Sequence, residues 1–142
     1  MKRTKWMTVT SIAAGLLIAG CGGDDDDRLS KAEFLEQGNA ICKKGSDEID
    51  AAGSKAFAGE PSKRELTAFA GRTLVPNVQR QIDGLRDLSP PENDEAKVKS
   101  ILDSAQTDLD KLEADPQLVA TEDPFKETNQ NAKEYGLTAC AE

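Results

Sequence analysis

The sequence contains no histidine, so the commonest general base and metal ligand is missing. Aromatic residues are few: one tryptophan, one tyrosine and four phenylalanines in 142 residues. Trp6 and both methionines, Met1 and Met7, stand at the extreme N-terminus, leaving Phe34, Phe57, Phe69, Phe125 and Tyr135 for the rest. Neither a Gly-x-Ser-x-Gly elbow, nor a phosphate-cradling glycine loop, nor a Cys-x-x-Cys pair occurs. Those absences argue against elbow-type serine hydrolysis, nucleotide binding and a zinc site. No run alternates apolar and polar residues with period two, and no Asn-Gly or Asp-Gly turn joins β-rich segments, so a sheet is not expected. Nor does any apolar stretch reach the roughly 20 residues needed to span a membrane.

What is present begins with Lys2, Arg3 and Lys5, followed by an apolar stretch from Trp6 to Ala19 broken only by Thr8, Thr10, Ser11 and Gly15. A short charged region ahead of a short apolar one is the pattern of a secretory signal. Its positive start holds the N-terminus in the cytoplasm. The stretch closes on Leu17-Ile18-Ala19-Gly20-Cys21, which resembles the bacterial lipobox: an aliphatic residue, two small ones, then an obligatory cysteine. The resemblance implies a diacylglycerol thioether on Cys21 and cleavage between Gly20 and Cys21. Residues 1–20 are then the signal peptide, and Cys21 begins a mature protein anchored on the extracytoplasmic face of the cell membrane. Two acyl chains suffice for stable anchoring where one is marginal.

Beyond residue 20 about 120 residues remain, enough for one domain with a modest core. Three of the 18 basic residues but none of the 26 acids precede Cys21, so the mature chain carries 15 positive against 26 negative groups, a net charge of −11. Such a surface repels nucleic acid and anionic headgroups, and no nucleic-acid partner is expected. With Cys21 lipidated, Cys42 and Cys140 form an even pair in an exported domain, which reads as one disulfide. Closing a loop of nearly a hundred residues contributes on the order of 4–5 kcal/mol on the chain-entropy model. A reactive or metal-binding pair is the rival reading.

Residues 21–29 read as a flexible acidic tether: Gly22 and Gly23, then Asp24 to Asp27, whose mutual repulsion keeps the segment extended. A contiguous acidic run lacks the spacing of a calcium loop. Residues 30–142 read as an all-α domain, a small antiparallel bundle of about four helices. Ser30-Lys31-Ala32-Glu33 is a capping box opening the first helix, with Phe34, Gly38, Ile41, Gly45, Ile49 and Ala52 on one face. Gly38 and Gly45 cost helix propensity, which points to close approach by a neighbour. This helix is expected to fray near Gly53 and to end by Gly59-Glu60-Pro61. A second box, Ser62 to Glu65, opens helix two, whose stripe is Leu66, Phe69, Ala70, Leu74, Val78, Ile82 and Leu85. Pro76 removes one backbone bond and should kink it near Thr73. Leu88-Ser89-Pro90-Pro91 stops it. Helix three runs from about Asn93 to Ala114 with Val98, Ile101, Leu102, Ala105, Leu109 and Leu112 inward, and Asp115-Pro116 breaks it. Asp123-Pro124 reads as the cap and first turn of helix four, which carries Phe125, Ala132 and Tyr135. Gly136 is its expected left-handed stop, with Leu137 closing the end.

The run Ser30-Lys31-Ala32-Glu33-Phe34, the stretch Asn39-Ala40-Ile41-Cys42, then Leu88-Ser89-Pro90-Pro91 and Tyr135-Gly136-Leu137 before Cys140 resemble a family of small actinobacterial exported helical proteins and lipoproteins. The resemblance spans nearly the whole mature chain. It implies the helical bundle and the pairing of Cys42 with Cys140, and carries over no activity, cofactor or catalytic residue.

For acid–base chemistry only Asp, Glu, Lys and Tyr135 are on hand. Asp103, Asp108, Asp110 and Glu113 fall off the inward stripe of helix three, where a solvated face puts them. Asn39, Asn129 and Asn131 could present amides to a ligand, although amides more often cap, turn or face water. Phe34, Phe69 and Phe125 are explained by core packing. The expected function is therefore a non-catalytic, membrane-anchored binding or interaction module, with no cofactor and no metal, meeting an envelope protein or cell-wall component. Two alternatives stay open: an envelope hydrolase using paired carboxylates, and a small-molecule carrier with a pocket between helices.

Overall fold

Each helix forms where its sequence signals place it, with instructive shifts at the ends. The computed structural model describes residues 28–141; the expected signal peptide, the expected lipidation site Cys21 and the acidic run lie outside them. Helix α1 spans Lys31–Ala56, α2 Lys63–Phe69, α3 Val75–Arg86, α4 Glu95–Ala114 and α5 Lys126–Tyr135. A π-helical turn, Ala70–Leu74, carries α2 into α3 without a break, so residues 63–86 make one rod. The result is an all-α bundle of four helical rods, with no strand among the described residues.

Both capping boxes form. The Ser30 hydroxyl accepts the Glu33 N–H at 3.3 Å and the Glu33 carboxylate accepts the Ser30 N–H at 2.9 Å. Ser62 and Glu65 repeat this at 3.3 and 2.8 Å. In both boxes the serine hydroxyl, and after it the serine N–H, hold the glutamate below the usual carboxylate range. The π turn is how the second rod accommodates Pro76. The Val75 N–H reaches back five residues to the Ala70 carbonyl, which re-spaces the ladder around the missing donor.

Helix α1 does not fray at Gly53. It continues to Ala56, and the Phe57 N–H donates to the Gly53 carbonyl at 2.9 Å. The Phe57 and Phe69 rings, 5.1 Å apart, pack beside Gly53 and hold this end. Its inward face is also rotated from the expected one. Phe34, Gly38, Cys42 and Gly45 are buried while Ile41 and Ile49 are half-buried, because Ile41 lies over Gly84 of α3 and the face turns toward the disulfide. Helix α4 starts at Glu95 after a 3₁₀ turn, Glu92–Asp94, slightly beyond the expected Asn93. Helix α5 starts at Lys126: the Asp123 carboxylate accepts the Phe125 N–H at 3.0 Å, so Asp123-Pro124 shape a turn ahead of the helix instead of capping it.

Sequence neighbours pack together: α1 on α3, α3 on α4, α4 on α5, while a final 3₁₀ turn, Thr138–Ala141, returns to α1. Gly136, at φ 113°, ends α5 as expected; the Leu137 and Gly136 N–H groups bond the Ala132 and Lys133 carbonyls in a Schellman closure. This throws Leu137, 1% exposed, into a core with Phe34, Leu85, Val98, Ile101 and Tyr135. The same closure delivers Cys140 to Cys42, and the two form the disulfide, with Cα atoms 4.9 Å apart. Asn39 holds the strap in place, donating to the Leu35 and Gly136 carbonyls and accepting the Ala139 N–H. Ahead of Ser30 the Leu29 N–H donates to the Ser89 carbonyl and Arg28 pairs with Glu95 at 2.9 Å, so both residues are held against the bundle.

Candidate functional site

The two-sided packing of α3 sets up the site. Its rod must serve α1 on one side and α4 on the other, with the π turn ending at Leu74 just ahead of Val78. Ile49, Leu74, Val78, Ala105 and Phe125 all lie on apolar stripes yet stop at partial burial. All five line one cavity between the helices, with a volume of about 150 Å³. Its floor is made by the fully packed Ile82, Leu85, Ile101, Leu102, Ala132 and Leu137. The disulfide forms part of the wall, since both Cys42 and Cys140 face it.

Four polar side chains, Ser46, Gln81, Thr128 and Asn129, interrupt this apolar lining. Two of them are partly committed. The Thr128 hydroxyl, on a residue 5% exposed, donates to Asp108 at 2.7 Å. The Gln81 amide N–H donates to Asn77 at 2.7 Å, and Asn77 in turn donates to Glu48. Gln81 lies across Gly45, where an added Cβ would sit 2.2 Å from its amide nitrogen, which explains that glycine. Ser46 and Asn129 make no side-chain hydrogen bond among the described residues and are half-buried at the cavity.

Of the amides singled out in the sequence, only Asn129 reaches the cavity. Asn39 is spent on the C-terminal strap, and Asn131 sits on an open polar groove between α4 and α5. Of the phenylalanines, Phe34 packs edge-on against Tyr135 at 6.2 Å, Phe69 pairs with Phe57, and Phe125 lines the cavity. Ser46, Gln81 and Thr128 were not foreseen. Ser46 falls one turn after Cys42, a signal that the unrotated helix face conceals.

Outside this cavity, Asp103 and Asp108 line the open groove between α4 and α5 together with Asp123 and Glu127. Asp103 pairs with Lys99, Asp110 accepts from Gln106, and Asp108 accepts from Thr128 and Lys111. No group of three or more metal-ligating side chains is found among the described residues. The carboxylates that shift clearly are Glu33, Glu65 and Asp94, all downward. For Asp94 the Tyr135 hydroxyl contributes most, at 3.0 Å, and Lys31 next, at 3.2 Å. Burial first, then Asp94, pushes the Tyr135 hydroxyl well above its ordinary value. Lys31 also sits over the Tyr135 ring, 4.5 Å from its centroid. This cluster fastens the start of α1 to the end of α5.

Comparison with protein-family models, curated proteins and solved structures finds no match to this chain.

Proposed function

We propose that this chain is a lipid-anchored extracytoplasmic binding protein that holds a small molecule between its helices without transforming it. The anchoring half of the reading rests on Leu17 to Cys21 and the charged, apolar stretch before them. It includes the likeness to small actinobacterial exported lipoproteins. The binding half rests on one observation, the largely apolar cavity with its few polar points. That observation favours a carrier over a paired-carboxylate hydrolase: no carboxylate of the described residues lines the cavity, and of those in the open groove between α4 and α5, Asp103 is paired with Lys99 and Asp108 with Lys111 and Thr128.

Two experiments test the halves separately. Cys21→Ser should abolish the lipid, read by intact mass and detergent-phase partitioning; diacylglycerol on the Ser variant, or none on the unaltered protein, refutes the anchor. For the cavity, benzene titrated into the full-length chain should shift the methyl resonances of Ala105, Ala132 and Leu137. An apolar space of about 150 Å³ accommodates one molecule of that size. Ala105→Phe should fill the space and remove the response. Saturating benzene that leaves those methyls unmoved refutes the carrier.

A further inference from the structure

We propose that the cavity selects an uncharged, ring-sized amphiphile: a compact apolar body carrying one neutral head that both donates and accepts a hydrogen bond, as a hydroxyl or primary amide does. This rests on the binding reading above and adds the chemical class of the ligand.

Size comes first. A volume of about 150 Å³ fits a six-membered ring with a small substituent and is too small to enclose a long acyl chain. Charge comes second. Charged residues make up 31% of the sequence, yet among the described residues no Asp, Glu, Lys or Arg lines the cavity, and its cysteines are locked in the disulfide. A carboxylate or ammonium seated there would lose part of its hydration and meet no counter-ion among the described lining residues. Hydrogen-bonding capacity comes third. Thr128 gives its proton to Asp108 and Gln81 gives an N–H to Asn77, which leaves the Gln81 carbonyl as an acceptor. Asn129 retains both a donor and an acceptor, and Ser46 retains its hydroxyl. The lining thus offers a donor and an acceptor, the complement of a neutral head group with one of each. A pure hydrocarbon would leave these groups with no partner but stray water.

The test uses the full-length chain and four probes that share one ring: benzene, phenol, benzoate and benzylamine, each titrated while the Ala105 and Ala132 methyls and the Asn129 side-chain amide are followed by NMR. Phenol should bind most tightly, with benzoate and benzylamine at least about tenfold weaker. Asn129→Leu should shrink the preference for phenol over benzene by about fivefold or more, and Ser46→Ala provides a second, sterically mild reading of the same loss. Benzoate or benzylamine binding as tightly as phenol overturns the class while sparing the carrier. So does a phenol preference absent from the unaltered chain or untouched by both variants. Silence from all four probes overturns both readings together.

Discussion

At the residue scale, two glycines make the clearest contrast. A Cβ on Gly38 would stand 2.7 Å from a Leu137 methyl and 3.1 Å from one of Leu85, and both neighbours are buried, so neither can retreat. Gly38→Ala gains about 1 kcal/mol of helix propensity. It then loses about 1–3 kcal/mol to overpacking. Urea denaturation should show a net loss of about 1 kcal/mol. Gly59 has nothing within 4 Å, and Gly59→Ala should stay within about 0.5 kcal/mol of the parent. Tyr135 and Asp94 give a pH-dependent counterpart. The folded Asp94 pKa is depressed, so its contribution is present above the unfolded value and fades as pH falls through the folded one. The folded Tyr135 pKa is raised, so its contribution is intact below the ordinary tyrosine value and fades in strong alkali as pH climbs toward the folded one. Tyr135→Phe should move the Asp94 titration upward toward the unperturbed range, measurable by carboxyl NMR. An unmoved Asp94 would refute the assigned hydrogen bond.

At the element scale, helix ends written in side-chain chemistry were legible except at Asp123-Pro124, and those made by tertiary contact were not. Ser30 with Glu33, Ser62 with Glu65, and Gly136 each satisfy free backbone groups locally, so their meaning survives without a partner. Gly53 was misread as a fraying point because Phe57 and Phe69, which hold that end, meet only in the folded state. Pro76 announced a disturbance near Thr73, but a π turn and a simple kink follow from the same missing N–H, and only neighbouring helices select between them. The cavity was legible as an alternative and no more: stripes show which residues face inward, not whether they meet. Ser62→Ala removes the cap of a seven-residue helix segment and should cost about 1 kcal/mol, with faster amide exchange confined to residues 63–69. Loss of protection spread evenly over the bundle would mean that α2 is not held by its own cap.

At the scale of the whole molecule the disulfide dominates. It links residues 98 apart and fastens the last turn to the first helix around a core with few aromatics. Cys42→Ala or Cys140→Ala should cost about 2–5 kcal/mol and expose one thiol. Titration of denatured, unreduced Cys21→Ser protein should find no thiol; two would refute the pairing.

The same bond decides what happens when the molecule is pulled by its ends. Between Cys42 and Cys140 the chain is a covalent ring, and every cavity-lining residue, from Cys42 itself to Cys140, belongs to that ring. Force entering at Arg28 can peel the first turns of α1 as far as Cys42, after which it crosses directly to Cys140 and leaves the ring unloaded. In a pulling experiment the oxidised protein should lengthen by only about 50 Å, at roughly 3.5 Å per freed residue, whereas the reduced protein should give several hundred. Tension on the chain ends thereby bypasses the residues that line the cavity.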